Sequence, residues 1–123
     1  MANHEFGIMQ NQPMNKERFD EYEPNKYDCI VVDDNFIEPI LIDLQKLDCY
    51  WHTLQNPGKG LAYCGITLIP PESMDILIKV LLLQDKLEYT DLIYLANQAK
   101  EENKYIIDTR KPEQQNFTLE ADD

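Results

Sequence analysis

The chain has 123 residues, which is enough for one domain and too few for two ordinary ones. It carries 23 acidic and 11 basic side chains, for a formal net charge of −12 at pH 7. Nucleic acids and anionic membrane surfaces are bound by clustered lysine and arginine, so this composition argues against both kinds of partner. An acidic surface favours solubility, and it also favours contact with a basic protein.

The N-terminal sequence and the cysteines predict the compartment. The opening residues MANHEFGIMQNQ lack the charged and apolar regions of a signal peptide. Three cysteines, an odd number, are typical of free thiols in a reducing environment. We therefore predict a cytoplasmic protein.

The chain divides into three parts by composition. Residues 1–26 mix polar side chains with scattered apolar ones, which predicts a partly ordered N-terminal arm that lies along the domain. Residues 27–107 have the patterning of a single domain. Residues 108–123 read as a polar, acidic C-terminal tail.

The central part alternates between strand and helix periodicity. The predicted order is a strand at 27–32, a helix at 36–47, strands at 49–54 and 61–69, a helix at 74–83, a further helix ending near Glu102, and a strand at 105–107. This β-α-β-β-α(α)-β order predicts a two-layer α+β fold, a ferredoxin-like four-stranded antiparallel sheet with the helices on one face. The helix at 74–83 is apolar nearly all round, so it belongs either to the core or to an interface.

Period-2 alternation assigns side chains to the two faces of the predicted sheet. We expect the helix-packed face to contain Ile30, Val32, Cys49, Trp51, Ala62, Cys64, Ile66, Leu68 and Ile106. The opposite face then collects a candidate ligand or partner site of Tyr27, Tyr50, His52, Tyr63 and Tyr105, with His52 opposite Tyr63. An apolar face of this kind is rarely left bare. The N-terminal arm, a second copy of the chain, or a ligand or partner could cover it.

The residues that could carry chemistry do not form a recognisable site. The potential zinc ligands Cys29, Cys49, His52 and Cys64 fall on opposite predicted faces, so we predict no metal. Ser73 is the one serine, and its position at a helix start suits capping. We predict no cofactor, and these features favour a protein that is not an enzyme.

The leading hypothesis is a small protein-interaction domain that associates as a homodimer through the sheet face or the helix at 74–83. One alternative is a small-ligand-binding or minor enzymatic domain that uses the same sheet face, with His52 as its polar group. A second alternative is an acidic inhibitor or immunity-like protein that binds a basic partner, which the net charge favours.

Overall fold

A six-stranded antiparallel sheet forms the centre of the molecule in a computed structural model, which describes residues 2–19, 24–63 and 65–111. In chain order the strands are β1 (Asn3–Ile8), β2 (Ile30–Asp33), β3 (Asp48–Trp51), β4 (Pro57–Lys59), β5 (Gly65–Ile69) and β6 (Ile106–Lys111). Their order across the sheet is β2-β1-β6-β5-β3-β4. The predicted α+β class with an antiparallel sheet is confirmed.

Two longer helices and several short ones complete the fold. They are α1 (Pro24–Tyr27), α2 (Asp34–Ile37), α3 (Leu41–Leu44), α4 (Met74–Gln84) and α5 (Thr90–Glu102), with 3₁₀ turns at Glu38–Ile40, Pro71–Ser73 and Leu87–Tyr89. Over the described ranges, no helix combines the length and apolar character that crossing a membrane requires.

The helix predicted at 36–47 is divided into three short pieces. The Asp33 carboxylate accepts a hydrogen bond from the Asn35 backbone N–H at 2.8 Å, so helical structure begins with Asp33 as the cap, earlier than predicted. Pro39 consequently lies beyond the first turn, where a missing N–H interrupts α-helical hydrogen bonding. The chain passes through the turn at Glu38–Ile40 before it resumes as α3.

The sheet has six strands instead of the four of the predicted ferredoxin-like layout. One additional strand, β1, comes from the segment interpreted as an arm, and it lies between β2 and β6. The other, β4, comes from the turn-rich link after β3 and pairs with β3 at the sheet edge. At the C-terminal end β6 continues to Lys111, so the sheet extends past the predicted limits of 27–107 on both sides. Residues 112–123 of the predicted tail lie outside the described residues.

The sheet is covered on both faces by apolar side chains. On the helix-packed face the main core joins Phe6 and Ile8 of β1 to Leu77 of α4 and Leu92 of α5. On the opposite face a second cluster contains Met9, Phe19, Ile66, Leu68 and Ile107. The short helix α1 lies on this second face, where Tyr27 packs against the cluster.

The predicted face assignments are confirmed for some strands and wrong for another. Val32, Cys49 and Ile106 lie in the helix-side core, as expected, with Ile30 packed against it. Ile66 and Leu68 were expected there but belong to the opposite cluster. The strand begins only at Gly65, whose φ of +93° interrupts the alternation counted from residue 61. Cys64 lies outside the described residues.

Candidate functional site

The predicted aromatic face is partly assembled and partly covered. Tyr27, Tyr50 and Tyr105 all pack against the cluster on the second face. The N-terminal segment crosses this cluster, because the Phe19 backbone N–H donates to the His52 carbonyl oxygen at 2.7 Å. Phe19 itself is buried in the cluster. The arm therefore covers part of the face, which is one of the three explanations considered for it.

His52 lies at the border of this cluster and forms a hydrogen bond with the N-terminal segment that covers it. Its Nδ1 is 3.2 Å from the Phe19 carbonyl oxygen, an atom that can only accept, so Nδ1 carries the proton and donates. The imidazole occupies the space beside Gly65, where a Cβ would lie 2.5 Å from Cε1 of the ring. Since Gly65 also has a left-handed φ, that position requires glycine twice over.

Tyr63 does not join the predicted set. The register of β3 and β5 pairs Tyr50 with Leu68, and the His52 N–H donates to the Ile66 carbonyl, so the expected pairing of His52 with Tyr63 is wrong. The Tyr63 side chain is 83% exposed, and its ring centroid lies 5.1 Å from Cζ of Arg110. Tyr63 instead lies beside a group of charged side chains that includes Arg110 and extends to strand β1.

Four charged side chains form a buried network on the helix-packed side of the sheet. We call His4, Asp34, Asp108 and Arg110 the His4 network. His4 Nδ1 lies 3.0 and 3.1 Å from the two carboxylate oxygens of Asp108, and Nε2 lies 3.1 Å from Oδ1 of Asp34. Since acceptors face both ring nitrogens, the arrangement is best satisfied by an imidazolium that donates from both.

Arg110 completes the network from β6. Its Nε and Nη2 atoms donate to the two carboxylate oxygens of Asp34 at 3.1 and 3.2 Å, a bidentate pair. The network thereby links β1, β6 and the first residue of α2. His4, Phe6 and Ile8 alternate along the N-terminal segment, and this strand signal is what could have revealed the site in the sequence.

The electrostatics of the network favour a retained proton. Burial disfavours a charged imidazole, but the carboxylates of Asp108 and Asp34 outweigh it and raise the pKa of His4 above its ordinary value. Burial also raises the pKa of Asp108, against the opposing effect of His4. The Arg110 hydrogen bond lowers the pKa of Asp34. The His4–Asp108 pair therefore holds a proton, and Asp34 stays anionic.

The His4 network connects secondary-structure elements and is poorly suited to catalysis. Both His4 ring nitrogens are already engaged, so neither is available as a general base. A pocket of about 120 Å³ opens beside it, lined by Leu41, Tyr63 and Arg110 among others. Nowhere in the described ranges do three or more His, Cys, Asp or Glu side chains form a group suited to a metal ion.

The two cysteines that the structure describes are protonated thiols. Burial raises the pKa of Cys29 to about 11 and that of Cys49 to about 12. Because the thiolate is the nucleophilic form, neither side chain is activated for attack at neutral pH.

The His4 network predicts a specific pH dependence of stability. Because the folded pKa of His4 exceeds its unfolded value of about 6.5, its stabilising effect is complete below that pH. We expect the effect to be lost as the pH rises through the folded pKa, with a slope of up to about 1.4 kcal/mol per pH unit. Urea unfolding between pH 6 and 8 should show the difference between wild type and His4→Gln shrinking with pH. A difference that stays constant would contradict this.

The outer side of α4 carries several apolar side chains that face solvent. Its inner side is buried through Met74, Leu77, Val80 and Leu81. The side chains that remain exposed on α4 and the following turn are Ile76, Leu82, Leu83 and Leu87, which we call the α4 outer surface. Ile76 and Leu83 share a helix face because they are two turns apart. The helix predicted to belong to the core or to an interface thus presents apolar groups on both sides.

Comparisons with family models, curated proteins and solved structures found no match for this chain. Its function is therefore inferred from its own geometry.

Proposed function

We propose that the chain is a protein-interaction domain that associates with a second copy of itself through the α4 outer surface. The proposal is based on the exposed apolar side chains of α4, a helix whose inner face is already packed against the core. Leu83 is 73% exposed and Leu87 is 87% exposed. Burying a leucine side chain stabilises by about 1.5–3 kcal/mol, so a contact that covers these groups has a substantial driving force.

The charged side chains around this surface suit a contact between copies. Lys79 and Lys86 lie in the same stretch as Asp75 and Asp85, so charges of both signs lie among the exposed apolar groups. Asp75 also forms an ion pair with Lys100 of α5 at 2.6 Å. Charges of both signs allow electrostatic complementarity between two copies.

The sheet face is less suited to this role than the α4 outer surface. Phe19 and Met9 pack over the cluster that includes Tyr50 and Tyr105, and a partner would have to displace them. A contact through α4 leaves that cover in place. The exposed leucines therefore favour the α4 outer surface over the sheet face as the proposed contact.

The Leu83→Lys variant tests the proposal. In a symmetric dimer this change removes two buried leucines and buries two charges, so we expect association to weaken by about 100-fold or more. Sedimentation velocity over a range of protein concentrations measures the effect. Since the net charge of −12 opposes contact between copies, wild-type association should strengthen as salt is added.

The matched control is Ile42→Lys, which makes the same kind of change elsewhere on the surface. Ile42 is 80% exposed on α3, outside the α4 outer surface, and its replacement should leave association unchanged. A wild-type protein that stays monomeric at every concentration would contradict the proposal. Equal weakening by the two variants would contradict it as well.

A further inference from the structure

The two edges of the sheet differ in how they are protected. Exposed edge strands are commonly shielded by shortness, proline or lysine. Strand β4 has all three, with only Pro57, Gly58 and Lys59 in it. Strand β2, with the sequence Ile-Val-Val-Asp, contains no proline or lysine, and within the described part of the chain it pairs with β1 alone.

The backbone of β2 turns hydrogen-bonding groups away from the sheet. The Asp34 N–H donates to the Ala2 carbonyl oxygen at 3.1 Å, and the register pairs Asn3 with Asp33. In an antiparallel pair, bonded and non-bonded positions alternate. Val31 and Asp33 therefore occupy the non-bonded positions, which directs the N–H and C=O of Val31 and the N–H of Asp33 outward, while the Asp33 carbonyl caps α2. The Val31 side chain is 60% exposed beside them.

Carboxylates surround this edge. Glu5 is the cross-strand partner of Val31, Asp28 is exposed two residues before the strand, and Asp33 ends it. Burial is the largest cause that raises the pKa of Cys29, to about 11. The negative charges of Glu5, Asp108 and Asp28 act in the same direction. A nearby basic side chain, Lys26, lies over the ring of Tyr27 with its Nζ 5.6 Å from the centroid.

We propose that the β2 edge binds an extended basic segment of a partner protein as a seventh strand of the sheet. The partner backbone pairs with the outward N–H and C=O groups of Val31 and with the N–H of Asp33. An apolar side chain of the segment covers Val31, and lysine or arginine side chains on either side meet the carboxylates. This mode of recognition takes its affinity from main-chain hydrogen bonds and its specificity from alternate side chains.

This inference is independent of self-association through the α4 outer surface, because β2 and α4 are separate elements. A second copy is a poor occupant of the β2 edge. Two such edges would place Glu5, Asp28 and Asp33 of one copy against the same carboxylates of the other, and like charges that face each other destabilise strand pairing. Charge complementarity therefore selects a basic segment.

The experiment uses the full-length ¹⁵N-labelled protein and three blocked hexapeptides. The first peptide alternates lysine with valine, and the second has glutamate in place of each lysine. The third has the sequence of the first, with N-methyl groups on alternate backbone amides. The measurement is the amide exchange rate of Val31 and Asp33. We expect the lysine peptide to slow both rates at least about 10-fold, as hydrogen bonding protects amides. The other two peptides should leave them unchanged.

Two protein variants separate the edge from general charge effects. Asp28 has a left-handed φ of 51°, a conformation that asparagine tolerates, so Asp28→Asn removes the charge without strain. It should weaken binding of the lysine peptide several-fold, whereas Asp43→Asn, the same change on an exposed part of α3, should not. Peptide binding without protection of Val31 and Asp33 would overturn the proposal, and so would no binding. Protection in the free protein that disappears on dilution would assign the edge to a second copy instead.

Discussion

Replacing Asp108 by alanine is expected to lower the free energy of unfolding by about 3–5 kcal/mol, since it leaves a buried charge without its partner. Asp108 is only 1% exposed, and both of its carboxylate oxygens lie within 3.1 Å of His4 Nδ1. Without them the Nδ1–H of the imidazolium has no acceptor, while Asp34 still holds the other ring nitrogen. Urea denaturation at pH 6.5 measures the loss.

The control for this change is Asp43→Ala. Asp43 is exposed on α3, and its replacement should alter the free energy of unfolding by no more than about 0.5 kcal/mol. If Asp108→Ala were as mild as Asp43→Ala, the buried pair would contribute nothing to the fold.

Replacing Phe6 by alanine is expected to cost about 3–5 kcal/mol of stability, as for other buried phenylalanines. Phe6 is 1% exposed and sits in the main core, on a strand that pairs with both β2 and β6. A cavity there lies against a strand that is paired on both sides, where the neighbouring strands cannot collapse to fill it. The shift in the urea midpoint gives the size of the effect.

Met14→Ala is the companion variant from the same N-terminal segment. Met14 is 71% exposed, so we expect a change within about 0.5 kcal/mol. Equal, small effects at both positions would mean that the N-terminal segment is an appendage and not part of the core.

The strands and helices with strong local periodicity could be predicted from the sequence. Helices α4 and α5 lie where their apolar spacing indicated, and strands β2 and β3 overlap the strands predicted at 27–32 and 49–54. Strand β1 gives a weaker signal, because the alternation of His4, Phe6 and Ile8 is interrupted by Glu5 and Gly7, which are not typical of a central strand. Its pairing with β6 joins residues about a hundred positions apart, and no local pattern records that contact.

Gly7 illustrates why β1 is difficult to predict from the sequence. A Cβ there would lie 2.7 Å from Cβ of Tyr27 and 2.8 Å from Sγ of Cys29, so α1 and the start of β2 pack directly on the β1 backbone. The sequence shows a residue that weakens a strand, and only the tertiary contact explains it. With β1 inserted next to β6, the predicted first strand moves to the sheet edge, and the ferredoxin-like order is lost.

The candidate sites likewise include residues that could be placed from the sequence and residues that could not. Tyr27, Tyr50 and Tyr105 all contact the second cluster, but alternation along a strand accounts only for Tyr50, because Tyr27 ends α1 and Tyr105 precedes β6. Tyr63 was misplaced because the chain between β4 and β5 is not extended. The His4 network was missed altogether, since its members come from three distant segments and individually look like surface residues.

The proposed contact between copies at the α4 outer surface is tested most directly in a mixed sample of ¹³C-labelled and unlabelled protein. Isotope-filtered nuclear Overhauser spectra detect only protons that are close across the interface. We expect intermolecular signals from the methyl groups of Ile76, Leu82 and Leu83, and none from Ile42. Signals confined to other surfaces, or none at concentrations where the protein sediments as a dimer, would contradict self-association through α4.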